Sequence, residues 1–110
     1  MTRVRIDKSG LGRAIYLTGH CANENSGSAE ATLVCAAMTT LAQTIAQNVF
    51  DSEDTGDTDI IDVTLRSGQA VISYVTDDDG LNTAVDGICK GFDMLEENYP
   101  EYVSCYRSER

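Results

Sequence analysis

Leu33-Val34-Cys35-Ala36-Ala37-Met38-Thr39-Thr40-Leu41 opens the stretch 33–50, LVCAAMTTLAQTIAQNVF, on which the reading of the fold turns. Val34, Met38, Leu41, Ile45 and Val49 recur at helical spacing and make one apolar stripe, so the stretch predicts a core helix. Thr32 precedes it as the expected N-cap, which sets Cys35 in the first turn, at the edge of the stripe. A thiol there has two readings. It is a small buried residue of the kind cores use often, or a nucleophile whose thiolate is stabilised by free amides and the positive end of the helix dipole. On the second reading the backbone N–H groups of Cys35 and Ala36 also receive a developing oxyanion.

Upstream of that helix, Thr2 to Asp7 alternates, with Val4 and Ile6 on one face and Arg3 and Arg5 on the other. Ser9-Gly10-Leu11-Gly12 turns the chain into a second strand, 13–18, so the sequence opens on a hairpin. That strand runs into Leu17-Thr18-Gly19-His20, and His20 is the only histidine of the chain. It is either a polar strand end or the imidazole that takes a proton from Cys35 and returns it to a leaving group, as a cysteine hydrolase requires. Between the two residues, the segment 21–31 carries Asn23, Asn25, Ser26, Gly27 and Ser28 with no apolar period. It is expected as a loop that gates the site.

Downstream, the acidic turn 51–59 leads to two strands, 60–66 and 69–76, joined by Ser67-Gly68 as a second hairpin. Asp77-Asp78-Asp79 suits a helix N-terminus, and Leu81, Val85, Ile88, Phe92 and Leu95 form the core face of the helix that follows. Gly87 and Gly91 in that helix cost roughly 1 kcal/mol each against alanine, so their spacing suggests a groove where another element approaches closely. Pro100 ends the helix and 101–107 adds a last strand with Val103 and Cys105 inward. The order strand-strand-helix-strand-strand-helix-strand predicts an α+β domain, 1–110, with two helices packed on a mainly antiparallel sheet.

The 110 residues suffice for one core without metal or disulfide support. No apolar run approaches the roughly 20 residues that span a bilayer, and the N-terminus alternates as a strand does, so neither a membrane span nor a signal peptide is expected. A cytoplasmic location follows as the expectation, with Cys21, Cys35, Cys89 and Cys105 as free thiols. Eighteen acidic against eight basic residues, net −10, disfavour direct nucleic-acid binding and favour a basic partner. His20, Cys21 and Cys35 lack the usual spacing of zinc ligands. Asp51 to Asp62 echoes a calcium loop but ends in aspartate where glutamate belongs and leads into a strand. No metal is expected. No phosphate-binding glycine motif is present, so no cofactor is expected either.

Gly19-His20, the loop with Gly27, and Val34-Cys35-Ala36-Ala37 resemble the signature of Prp, the bacterial ribosomal-processing cysteine protease family. The tail from Gly91 through Asn98-Tyr99-Pro100 to Val103 resembles the end of the family's last helix and the strand after it. The resemblance implies a cytoplasmic, homodimeric cysteine endopeptidase needed for ribosome maturation. Its substrate would be the precursor of the large-subunit ribosomal protein numbered twenty-seven, whose N-terminal extension it removes. The resemblance makes Cys35 the nucleophile and His20 the general base and acid, with Gly19, Asn23, Glu24, Gly27, Glu30 and Thr32 in the substrate-binding and gating segment. The chain departs from the family pattern in several places. Thr32 stands where an aspartate is usual, leaving that role vacant or to Glu30 or Glu24, while Cys21 replaces an alanine, Thr39 a serine, and the loop is about three residues longer. These departures motivate a rival reading, a catalytically silent binding or dimerisation module of the same fold.

Overall fold

The computed structural model describes residues 1–20 and 28–109. The chain runs β1 (Thr2–Ser9), β2 (Gly12–Thr18), α1 (Ala29–Asp54), β3 (Thr58–Arg66), β4 (Gln69–Thr76), α2 (Asp79–Asn98) and β5 (Val103–Glu109), the α+β order expected. The strands form one sheet in the order β3-β4-β2-β1-β5. β1 with β2, β2 with β4, and β4 with β3 pair antiparallel, whereas β5 lies parallel to β1, with Val103 opposite Thr2 and Glu109 opposite Lys8. The sheet is therefore mixed. Parallel neighbours need a long crossover, and α2 lies in the connection that returns the chain to this edge.

Alternation along the strands turns Val4, Ile6, Ile15, Leu17, Ala70, Ile72 and Tyr74 into a core shared with the helices, which supply Val34, Met38, Ile45, Val49, Leu81, Val85 and Phe92. Leu41, expected in the stripe of α1, is only partly buried, and Ala42 and Ala46 take its place. On α2, Cys89 is buried where Ile88 was expected, and Ile88 and Leu95 border the core. Gly91 meets the glycine-groove expectation inside the molecule, since a methyl placed on it would lie 2.8 Å from Leu41 Cδ2. Gly87, a turn away, faces open space.

α1 is longer than its apolar period at both ends. Ser28, not Thr32, is the N-cap, with its Oγ accepting from Ala31 N–H at 3.0 Å. Ala29, Glu30 and Ala31, expected in the loop, form the first turn. The acidic turn expected from residue 51 likewise begins as helix: Gln47 Nε2 donates to Asp51 Oδ1 at 2.8 Å, and the helix closes only at Thr55. Buried hydroxyls hold this end, Ser52 bonding to Thr58 at 2.6 Å and Thr58 to Thr76 at 2.8 Å. Ser52 also donates to Asp78, the N-cap of α2, at 3.0 Å. One bulge between Ile60 and Asp62 interrupts β3, and Ile61 is exposed there. By length and composition α1 is long and apolar enough to cross a membrane, although no uninterrupted apolar run of that length occurs in the sequence. Its stripe is packed against the sheet, as in a core helix.

Candidate active site

β2 ends at Thr18, and Gly19 turns the chain out of the sheet with φ +94, where a side chain would collide with the Met1 carbonyl oxygen. Only glycine fits that bend. The bend is tied down from two sides: Gly19 N–H donates to Gly68 O at 2.9 Å, and the Met1 amino group donates to His20 O at 2.9 Å. The His20 ring lies over the β3–β4 turn. A methyl placed on Gly68, itself at φ +76, would sit 2.5 Å from His20 Nε2 and 2.9 Å from Cε1.

Across from the bend, α1 presents Cys35, half-buried at the rim of the core. The first hydrogen bond of the helix ladder runs from Thr32 N–H to Ser28 O at 3.1 Å. Cys35 consequently stands in the second turn, and its N–H and that of Ala36 lie beyond the first-turn amides a helix leaves free. The assignment of these two amides to an oxyanion is corrected by this geometry: they belong to the ladder. The reason is Ser28, which supplies the capping oxygen four residues earlier than Thr32, whose own hydroxyl donates to Ser28 O at 3.1 Å.

His20 and Cys35 line one cleft of about 400 Å³. Leu17, Met38, Ala42 and Ala70 give it an apolar floor, and Leu65, Arg66 and Gly68 of the β3–β4 hairpin form its far wall. Thr39 and Gln43 line the α1 side; the Thr39 hydroxyl donates to Cys35 O at 3.0 Å. Of the residues assigned to the gating segment, Gly19 lines the cleft, whereas Glu30 and Thr32 are exposed on α1 and take no part in it. The first turn of α1 carries them outward. Asn23, Glu24 and Gly27 lie outside the described residues. Among the described residues that line the cleft the ionisable ones are His20, Cys35 and Arg66, with no carboxylate. Gly68 was read as a turn residue, but nothing local connects that hairpin, with Arg66, to Cys35 thirty-odd residues upstream, and Gln43, two turns further along α1, carried no signal of its own.

The other described cysteines have different surroundings. Burial pushes the Cys89 thiol up to about 11, and burial, reinforced by Glu96, pushes Cys105 up to about 11, where its Sγ lies 3.5 Å from Phe92 O. Both stay protonated near neutral pH and are poor nucleophiles. Among the described residues no three His, Cys, Asp or Glu side chains converge in a way that could hold a metal ion. The cleft thus offers one thiol and one imidazole over an apolar floor, open on one side, which suits attack on a carbonyl of an extended chain.

The family model described as cysteine protease Prp matches residues 1–104. The crystal structure of SMU.848 from Streptococcus mutans superposes with a TM-score of 0.72 at 21% identity, covering 100% of this chain and 96% of that one. The essential ribosomal processing protease Prp from S. aureus, in complex with a covalently linked product peptide, gives 0.69 at 18% identity, covering 97% of this chain and 99% of that one. The same protease with a substrate peptide gives 0.64 at 16%, with coverage of 97% and 99%. At these identities the structural likeness is one of fold. No curated protein sequence matches the chain.

Proposed function

The chain belongs to the cysteine protease family Prp, and on that premise we propose that it removes the N-terminal extension of a large-subunit ribosomal protein, the one numbered twenty-seven, with Cys35 as nucleophile and His20 as general base and acid. The observation that carries this reading is the placement of the only histidine and a half-buried thiol on one cleft. His20 takes the thiol proton as Cys35 Sγ attacks the scissile carbonyl, then gives it to the departing amine. Water, activated by the same imidazole, hydrolyses the thioester and restores the thiol. Since the amides of Cys35 and Ala36 are inside the helix ladder, the oxyanion is received by donors outside it.

The apolar floor supports an extended peptide with an apolar side chain next to the cut, and the net charge of −10 supports a basic precursor. Action in the reducing cytoplasm, where Cys35 stays a thiol, belongs to this reading. A homodimer is part of the proposal, and light scattering tests it; Gly91 packs against Leu41 within the chain, while Gly87 faces open space.

The test is incubation of the wild type and Cys35→Ala with the tagged precursor, followed by intact-mass analysis. One cut at the extension, absent in Cys35→Ala and slowed about 10²- to 10⁴-fold in His20→Ala, is expected. A fully active Cys35→Ala protein overturns the mechanism, and no cut by a folded wild type returns the reading to a silent binding module.

A further inference from the structure

We propose that the β3–β4 turn, through Gly68, is what positions the His20 imidazole, by packing its backbone against the ring. The proposal rests on the dyad reading above and adds a residue that neither the sequence signature nor the fold assigns.

Four observations converge on it. His20 is an exposed side chain beyond the end of β2, so the core does not fix its ring. No carboxylate lines the cleft among the described residues, and Glu30, an acid the sequence offered for the purpose, is exposed on α1 outside it. The ring instead lies against the Cα of Gly68, so close that a methyl there would fall 2.5 Å from Nε2, 2.9 Å from Cε1 and 3.3 Å from Cδ2. The bond from Gly19 N–H to Gly68 O, 2.9 Å, fixes the separation between the turn and the strand end that carries the histidine. Glycine at 68 therefore does two jobs: it takes φ +76 in a tight hairpin, and it leaves a flat backbone surface that confines the ring on one side.

The two jobs separate experimentally. Gly10 turns the β1–β2 hairpin at φ +58 with nothing within 4 Å of a methyl placed on it. Gly10→Ala thus carries the backbone strain without a contact to His20. Gly68→Ala adds a methyl that the ring must yield to, and an exposed ring yields at little cost to the fold. Gly68→Asn keeps the added Cβ while easing the strain, since asparagine tolerates positive φ.

We would measure kcat and KM of the full chain on a peptide spanning the ribosomal-protein cut, alongside the nitrogen and carbon NMR signals of the imidazole, a single set because the chain has one histidine. The expected result is a kcat about 10- to 100-fold lower in Gly68→Ala and Gly68→Asn, with KM unchanged and the His20 signals displaced. Gly10→Ala should match the wild type in all three. Folded Gly68 variants with wild-type kcat and unmoved signals overturn the proposal, and so does an equal loss of kcat in Gly10→Ala. Failure of the dyad reading looks different: His20→Ala then keeps full activity, whatever the turn does to the ring.

Discussion

Sulfur reactivity in this chain is decided by surroundings. Cys89 and Cys105 are held as thiols by burial, with values pushed up to about 11, while Cys35 borders an open cleft. A raised value means that the reactive thiolate is scarce until the pH approaches it. In a Cys21→Ser background at pH 7.5, iodoacetamide should therefore modify Cys35 first, with Cys89 and Cys105 following only on unfolding. Peptide mapping checks this, and labelling of all three at one rate in the folded protein would contradict it. Position 35 was legible in the sequence because valine, cysteine and two alanines sit on a clear helical period. Cys105 was legible as well, since alternation along the last strand turns it inward with Val103, but Cys89 was not, because its burial depends on which face of α2 meets the core.

Among the elements, α1 and α2 show how caps and small residues adjust what periodicity predicts. The apolar period of α1 ran from 33 to 50, yet Ser28 starts the helix at Ala29 and the Gln47–Asp51 contact with the buried Ser52 hydroxyl carries it to Asp54. Periodicity is blind to such ends, since polar turns of a helix carry no apolar repeat. The shift matters chemically, because it moves Cys35 from the first turn to the second. In α2 the two glycines part company. Gly87→Ala meets open space and should raise unfolding stability by about 1 kcal/mol through helix propensity. Gly91→Ala must displace Leu41 and should lack that gain. Urea unfolding of the two variants checks the contrast.

For the whole molecule, two aspartates tie α2 to its neighbours, Asp86 to the sheet and Asp78 to α1. Asp86 is paired with Arg13 of β2 and lies 3.4 Å from Lys8 of β1. Partial burial raises its carboxyl, but the Arg13 bond and charge outweigh that and hold it below the usual 3.8. Asp78 is held below 3.8 by the Leu81 amide and the Ser52 hydroxyl. A carboxyl depressed in the fold stabilises it fully above the unfolded value and loses that contribution as the pH falls through the folded one. The melting temperature should therefore stay level from neutral pH to about pH 5 and fall as the pH drops below the ordinary carboxylate value of 3.8. Asp86→Asn should lower it at neutral pH and flatten part of the acid decline. A melting curve independent of pH down to pH 2 would show that neither carboxylate matters to the fold.

The order of the seven elements was written in the sequence, because alternation, helical period and the turn residues Gly10 and Gly68 are local signals. β4 was placed to the residue at 69–76 for the same reason. His20 and Cys35 were marked by their chemistry and spacing together with the resemblance to the family signature. Tertiary structure decided that β5 lies parallel to β1, since pairing depends on where α2 returns the chain. It also decided that Glu30 and Thr32 stand exposed outside the cleft, and that the β3–β4 turn, distant in sequence, lies against His20. A sequence records which groups a chain carries and how they repeat along it; which of them meet is set by packing the apolar faces together, and only the folded core fixes that.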